Sequence, residues 1–115
     1  MSIPLEELDE LLHEICGGDP DAACELIIDL QAHVNTLYHT MLEDGTPTAM
    51  AKGLHQLSGA SALMGLRSLA WLLAEEEQRA RRAPAVSHPP RWRQQADRII
   101  ETYLTLLASP PRGDE

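Results

Sequence analysis

Apolar residues recur at helical spacing along almost the whole chain, and Gly- and Pro-containing breaks divide that pattern into five stretches. From Pro4 to about Cys16, Leu5, Leu8, Leu11, Leu12 and Ile15 define an apolar side, while Glu6, Glu7, Asp9 and Glu10 are expected in water near the positive end of the helix dipole. Gly17-Gly18 ends that helix. Asp19 then reads as an N-cap with Pro20 at the first helical position, and Ala23, Leu26, Ile27, Leu30, Val34, Leu37 and Met41 hold one stripe of a long helix to about Glu43. After Gly45, Thr46 caps and Pro47 opens a third helix. There Met50, Leu54, Leu57, Ser61 and Met64 share one side, until Gly65 interrupts. Leu66, Leu69, Ala70 and Leu73 predict a fourth helix to about Arg82, with Glu75-Glu76-Glu77 read as a solvated face. Pro84, Ser87, Pro89 and Pro90 mark a loop. The last helix, from near Pro90 to about Leu107, aligns Trp92, Ala96, Ile99, Tyr103 and Leu106 or Leu107, with Trp92 and Tyr103 as core anchors.

Helices joined this tightly pack antiparallel, so the predicted fold is all-α: an antiparallel up-down four-helix bundle with a short N-terminal capping helix. Composition agrees. Among 115 residues there is no Phe, aromatics are 3%, and Ala, Leu, Glu and Arg dominate over β-branched types. Residues 1–108 are expected to form one domain, and residues 109–115, which include two prolines and no apolar pattern, a disordered tail.

The formal net charge of −9 argues against nucleic acid or an anionic membrane surface as a partner. No apolar run is long enough for a membrane helix, and Met1-Ser2-Ile3-Pro4 lacks the basic and apolar regions of a signal peptide, so a cytoplasmic location is expected. Cys16 and Cys24 have no metal-ligand spacing and are expected as free thiols. His33 and His39, six residues apart, lie far around their helix from each other, which disfavours a metal pair. No metal site is predicted.

The one unusual chemical feature lies in the third helix. At about 100° per residue, His55 falls roughly opposite the apolar side, and Thr48, Ala51, Lys52, Ser58, Gly59 and Ala62 lie within about 60° of it. The imidazole should therefore stand in water on a low surface. Either it is an incidental surface histidine or it is presented to something large. Glycine inside a helix costs about 1 kcal/mol relative to alanine, yet Gly53 and Gly59 flank the histidine. Something besides helix stability is served.

His55, Gly59, Ala60, Ser61 and the Gly65-Leu66 pair resemble the pattern of histidine phosphotransfer (HPt) domains in bacterial phosphorelays, most strongly from Met50 to about Glu77. Ser58 stands where that family usually has Lys. The resemblance implies that His55 is a phosphoacceptor, serving a carrier with no autonomous kinase activity. The phosphoryl group would come from a receiver-domain aspartate of a hybrid sensor kinase and pass to the receiver of a response regulator. Mg²⁺ would sit on the partner receiver, leaving this chain, a monomer, without a cofactor of its own. Phosphoryl transfer asks mainly for in-line positioning and charge neutralisation, and an exposed imidazole needs no general base to attack phosphorus.

The only lysine, Lys52, lies one turn before His55 and is a candidate to supply the missing charge, with the Ser58 hydroxyl as a donor to phosphoryl oxygens. Alternatively, Lys52 merely solubilises the helix. Ala51, Gln56, Gly59, Ala62 and Arg67 are candidate receiver contacts, Gly59 because it places no side chain beside the imidazole. Two other readings keep the bundle without the transfer: an HPt-like docking or inhibitory module, or a purely structural adaptor.

Overall fold

Two side-chain caps and one glycine turn divide the chain as the apolar pattern does. In a computed structural model, which describes residues 5–44, 46–82 and 92–108, α1 spans Leu5–Asp9 and continues as a π-helical segment over Glu10–Ile15. Helices α2 (Pro20–Asp44), α3 (Pro47–Leu63), α4 (Arg67–Arg82) and α5 (Trp92–Ala108) follow. Asp19 Oδ1 accepts from the amides of Asp21 (3.0 Å) and Ala22 (3.3 Å) to start α2. Thr46 Oγ1 accepts from the Ala49 amide at 3.3 Å to start α3. At the far end of α3 the Leu66 amide reaches back to the Ser61 carbonyl (2.9 Å) and the Gly65 amide to that of Ala62 (3.0 Å). This pairing requires the left-handed backbone that Gly65 adopts at φ +77°. The chain reverses there, and α4 runs back along α3.

The four long helices close a ring in which α2 packs on α3, α3 on α4, α4 on α5 and α5 on α2. Among the described residues there is no strand, and the protein is the all-α bundle its pattern predicts. Ile27, Val34, Leu54, Leu69, Leu73, Trp92, Ile100 and Tyr103 are among the side chains enclosed in its core. Gly53 lets α2 and α3 approach, because a Cβ there would collide with the δ-methyl groups of Leu37. Cys16 and Cys24 are half-buried free thiols. The proposed proline-rich loop and C-terminal tail lie outside the described residues.

Three surface assignments differ from expectation. Glu7 is buried, since it accepts from the Ser68 amide (2.8 Å) and hydroxyl and from the Tyr103 hydroxyl (2.6 Å). It thus caps the start of α4 from another helix. Burial first, then the neighbouring Glu7, pushes the Tyr103 phenol well above its ordinary range. Ile15 is exposed, because the wider π turn, closed by the Cys16 amide on the Leu11 carbonyl at 3.0 Å, shifts the angular phase after Asp9. Leu26, placed on the core stripe of α2, is also exposed and borders a groove between α2 and α3.

Candidate functional site

His55 occupies the middle of α3 with 73% of its side chain exposed, on the side away from Leu54 and Leu57. Its Nδ1 lies 3.1 Å from Glu77 Oε1 of α4. Glu77 is 8% exposed, and its other oxygen accepts from Arg81 Nε (2.9 Å) and Nη2 (2.6 Å). Burial by itself pushes the Glu77 carboxyl up, but the hydrogen bonds and charges of Arg81 and His55 together outweigh it and hold the group below its ordinary value. The ionised carboxylate only accepts, so Nδ1 donates to it and a neutral ring carries its lone pair on Nε2. A buried carboxylate thus orients an exposed imidazole, leaving the outer nitrogen open to water.

The run Glu75-Glu76-Glu77 is therefore not wholly a solvated face. Glu77 falls one helical turn after Leu73 and one before Ala80, on the buried stripe of α4, Glu76 is half-buried, and only Glu75 is exposed. A carboxylate on a core stripe is the signal that identifies Glu77 in the sequence; Arg81 follows at the spacing of an ion pair.

Of the residues grouped around His55 by helical phase, the structure separates two flanks. Ala51 and Ser58 lie on the flank that α4 covers. Ala51 is 1% exposed, which removes it from any docking surface. The Ser58 hydroxyl donates to the Ala70 carbonyl at 3.0 Å, so that proton is committed to the α3–α4 contact and not available to a phosphoryl oxygen. On the opposite flank Lys52, Gln56 and Gly59 are exposed, as is Ala62 close to the histidine's own direction. A Cβ on Gly59 would meet no atom within 4 Å. Leu63, 83% exposed two turns beyond His55, extends this open face, and helical phase alone did not single it out. No described carboxylate lies within 4 Å of Lys52. Arg67 belongs elsewhere. Its Nη2 is 3.6 Å from Glu10 Oε2, and it precedes Glu77 by ten residues, about 15 Å along α4.

Beside the open flank, the groove between α2 and α3 is lined by Leu26, Leu30, Leu37, Leu57 and Met64, with Gln56 at its rim. Among the described residues no three His, Cys, Asp or Glu side chains converge as metal ligands, and no helix is long and apolar enough to cross a membrane. His33 Nδ1 instead lies 2.8 Å from the Asp29 carbonyl.

A helical bundle that presents one oriented histidine on an open helix face defines a class of group carrier. The family model described as Hpt domain matches residues 5–108, and the chain belongs to the Hpt domain family. That membership implies phosphotransfer in two-component phosphorelays through interaction with receiver domains. Neither a search of curated proteins nor one of solved structures finds a match.

Proposed function

We propose that His55 is the phosphoacceptor of this domain, taking the group from an aspartyl phosphate on the receiver of a hybrid sensor kinase and yielding it to the receiver of a response regulator. The observation that carries this reading is the 3.1 Å contact of Nδ1 with Glu77 beneath a ring that is 73% exposed. In the forward step the Nε2 lone pair forms the N–P bond while the P–O bond to the aspartate breaks, and the aspartate departs as a carboxylate. No proton has to leave Nε2, because the ring proton resides on Nδ1. The positive charge that develops on the imidazole is met by Glu77, whose own charge is balanced by Arg81. Return of the group to a second receiver reverses these bonds. Mg²⁺ belongs to the partner receiver, where it neutralises the phosphoryl oxygens.

Lys52 is the cation we assign to the phosphoryl group, since it stands one turn from His55 on the open flank. Gln56, Gly59 and Ala62 form the receiver contact, joined by Leu63. The working state is a cytoplasmic monomer of a bacterial relay. Incubation with a phosphorylated receiver and Mg²⁺ should place acid-labile label on the wild-type chain and none on His55→Gln.

The second reading, a docking module that does not accept phosphate, draws on the absence of the family's usual lysine at Ser58 and on the engagement of that hydroxyl by Ala70. Receiver binding without label transfer would select it.

A further inference from the structure

The acidic excess of this chain is not spread over the bundle. Contacts of Leu37 with the Gly53 position, Tyr38 with Trp92 and His55 with Glu77 bring four segments to one end: α2 from His33, α3 to His55, α4 from Glu75 and α5 to Ile100. These segments hold six basic and six acidic residues and are electrically balanced. The remaining described residues hold ten acidic residues and one basic residue, Arg67. A formal charge of −9, equal to that of the whole chain, thus lies in the half away from α4's final turn, where Arg79, Arg81 and Arg82 cluster. Arg82 donates to the Gln78 carbonyl and, among the described residues, has no carboxylate within 4 Å.

Resting on the receiver reading above, we propose that this partition orients the encounter: the acidic α1 and first half of α2 repel an approaching receiver, and the arginine-rich end of α4 guides the receiver's acidic site toward His55 and the open face of α3. The partner chemistry follows from the reaction. A site that holds Mg²⁺ and a phosphorylatable aspartate is rich in carboxylates, and its phosphorylated form adds further negative charge. Nine of the ten distal acidic residues fall within residues 6–29 and the tenth is Glu101, while residues 56–74, which include Gln56, Gly59, Ala62 and Leu63, carry only Arg67. The receiver's face is therefore repelled from the α1–α2 side and admitted along the open face of α3. Charges act over roughly 10 Å at 0.1 M salt, so Arg79 and Arg82 need not touch the reacting atoms to raise the rate of productive approach.

The test compares two variants with the same change in net charge. Arg79→Gln/Arg82→Gln removes two positive charges from the end of α4, Arg79 from its 2.9 Å ion pair with Glu76, and His13→Glu/Thr105→Glu adds two negative charges in the distal half. All four positions are exposed. Association with a labelled, aspartyl-phosphorylated receiver domain is followed by stopped flow from 20 to 500 mM NaCl, with circular dichroism confirming the fold. The arginine variant should associate about 5- to 10-fold more slowly at low salt, in the lower range of steering effects, and about equally at high salt. The distal variant should change less than about 2-fold. Equal slowing of both variants, no slowing of either, a difference that persists at high salt, or no association of the wild type overturns the proposal. Association rate is read separately from label transfer: ordered association without transfer supports the orientation proposal and rejects the phosphoacceptor reading.

Discussion

Glu77 Oε1 lies 3.1 Å from His55 Nδ1, with Arg81 on the other carboxylate oxygen, so an exposed histidine of α3 is oriented by a nearly buried charge on α4. The pair fixes both the ring's direction and its tautomer. Glu77→Ala should leave the fold intact and lower the transfer rate by about 10-fold or more, the order seen when outer partners of a working histidine are removed. Glu77→Gln can still accept from Nδ1 through its amide oxygen and should lose less. Nitrogen NMR of the imidazole should show the Nε2–H tautomer gaining population in the alanine variant alone. Identical ring spectra in all three proteins would reject the positioning role.

Acid should weaken the α3–α4 contact through the same carboxylate. The folded-state pKa of Glu77 is depressed, so its stabilisation is present above the unfolded value, ordinarily about 4.3, and is lost as pH falls through the lower folded value. Thermal melting of Glu77→Gln should therefore decline less steeply than wild type below about pH 4.3. Parallel curves would show that other groups govern the acid limit.

Lys52→Ala is expected to slow transfer and shorten the lifetime of the phosphohistidine while leaving the melting temperature within about 2 °C, because an exposed lysine with no ion pair among the described residues contributes little to stability. Unchanged rate and lifetime would reject Lys52 as the phosphoryl-neutralising cation.

Two glycines of α3 should both tolerate a side chain without loss of the fold, but only one should affect the receiver. Gly59→Glu enters open space and should keep the fold while weakening receiver binding at least about 10-fold, a cost of about 1.4 kcal/mol. Titration calorimetry would detect it, and retained affinity would count against Gly59 as a docking position. Gly53→Ala places a methyl group against the δ-methyls of half-buried Leu37, which can turn into the groove, and with alanine's better helix propensity should change stability by less than about 1 kcal/mol in urea unfolding.

Tyr103→Phe removes one of three donors to buried Glu7 and should cost about 1–3 kcal/mol. Chemical denaturation gives the value. A neutral result would mean that the Ser68 amide and hydroxyl suffice to satisfy the carboxylate.

The five helical stretches, their caps at Asp19 and Thr46, the reversal at Gly65 and the exposure of His55 were all legible in the sequence. Each depends on spacing along one helix or on a residue's own backbone preference, and those travel with the sequence. Glu77 and Glu7 were misplaced for a common reason. A local run of acids resembles a water-facing surface until partners distant in sequence, Arg81 with His55 in one case and Ser68 with Tyr103 in the other, supply the hydrogen bonds that permit burial.

The surroundings of the histidine divide along the same line. Helical phase by itself determined that Ala51, Lys52, Ser58, Gly59 and Ala62 gather near His55, but a helix seen alone is symmetrical about that residue. Only the packing of α4 decided which flank stays open. It buried Ala51, engaged Ser58 through Ala70, left Lys52 and Gly59 in water, and brought Glu77 beneath the ring. Contacts between helices depend on the course of the whole chain, so the orientation of the imidazole is a property of the tertiary structure, while the presented histidine was already determined by the sequence.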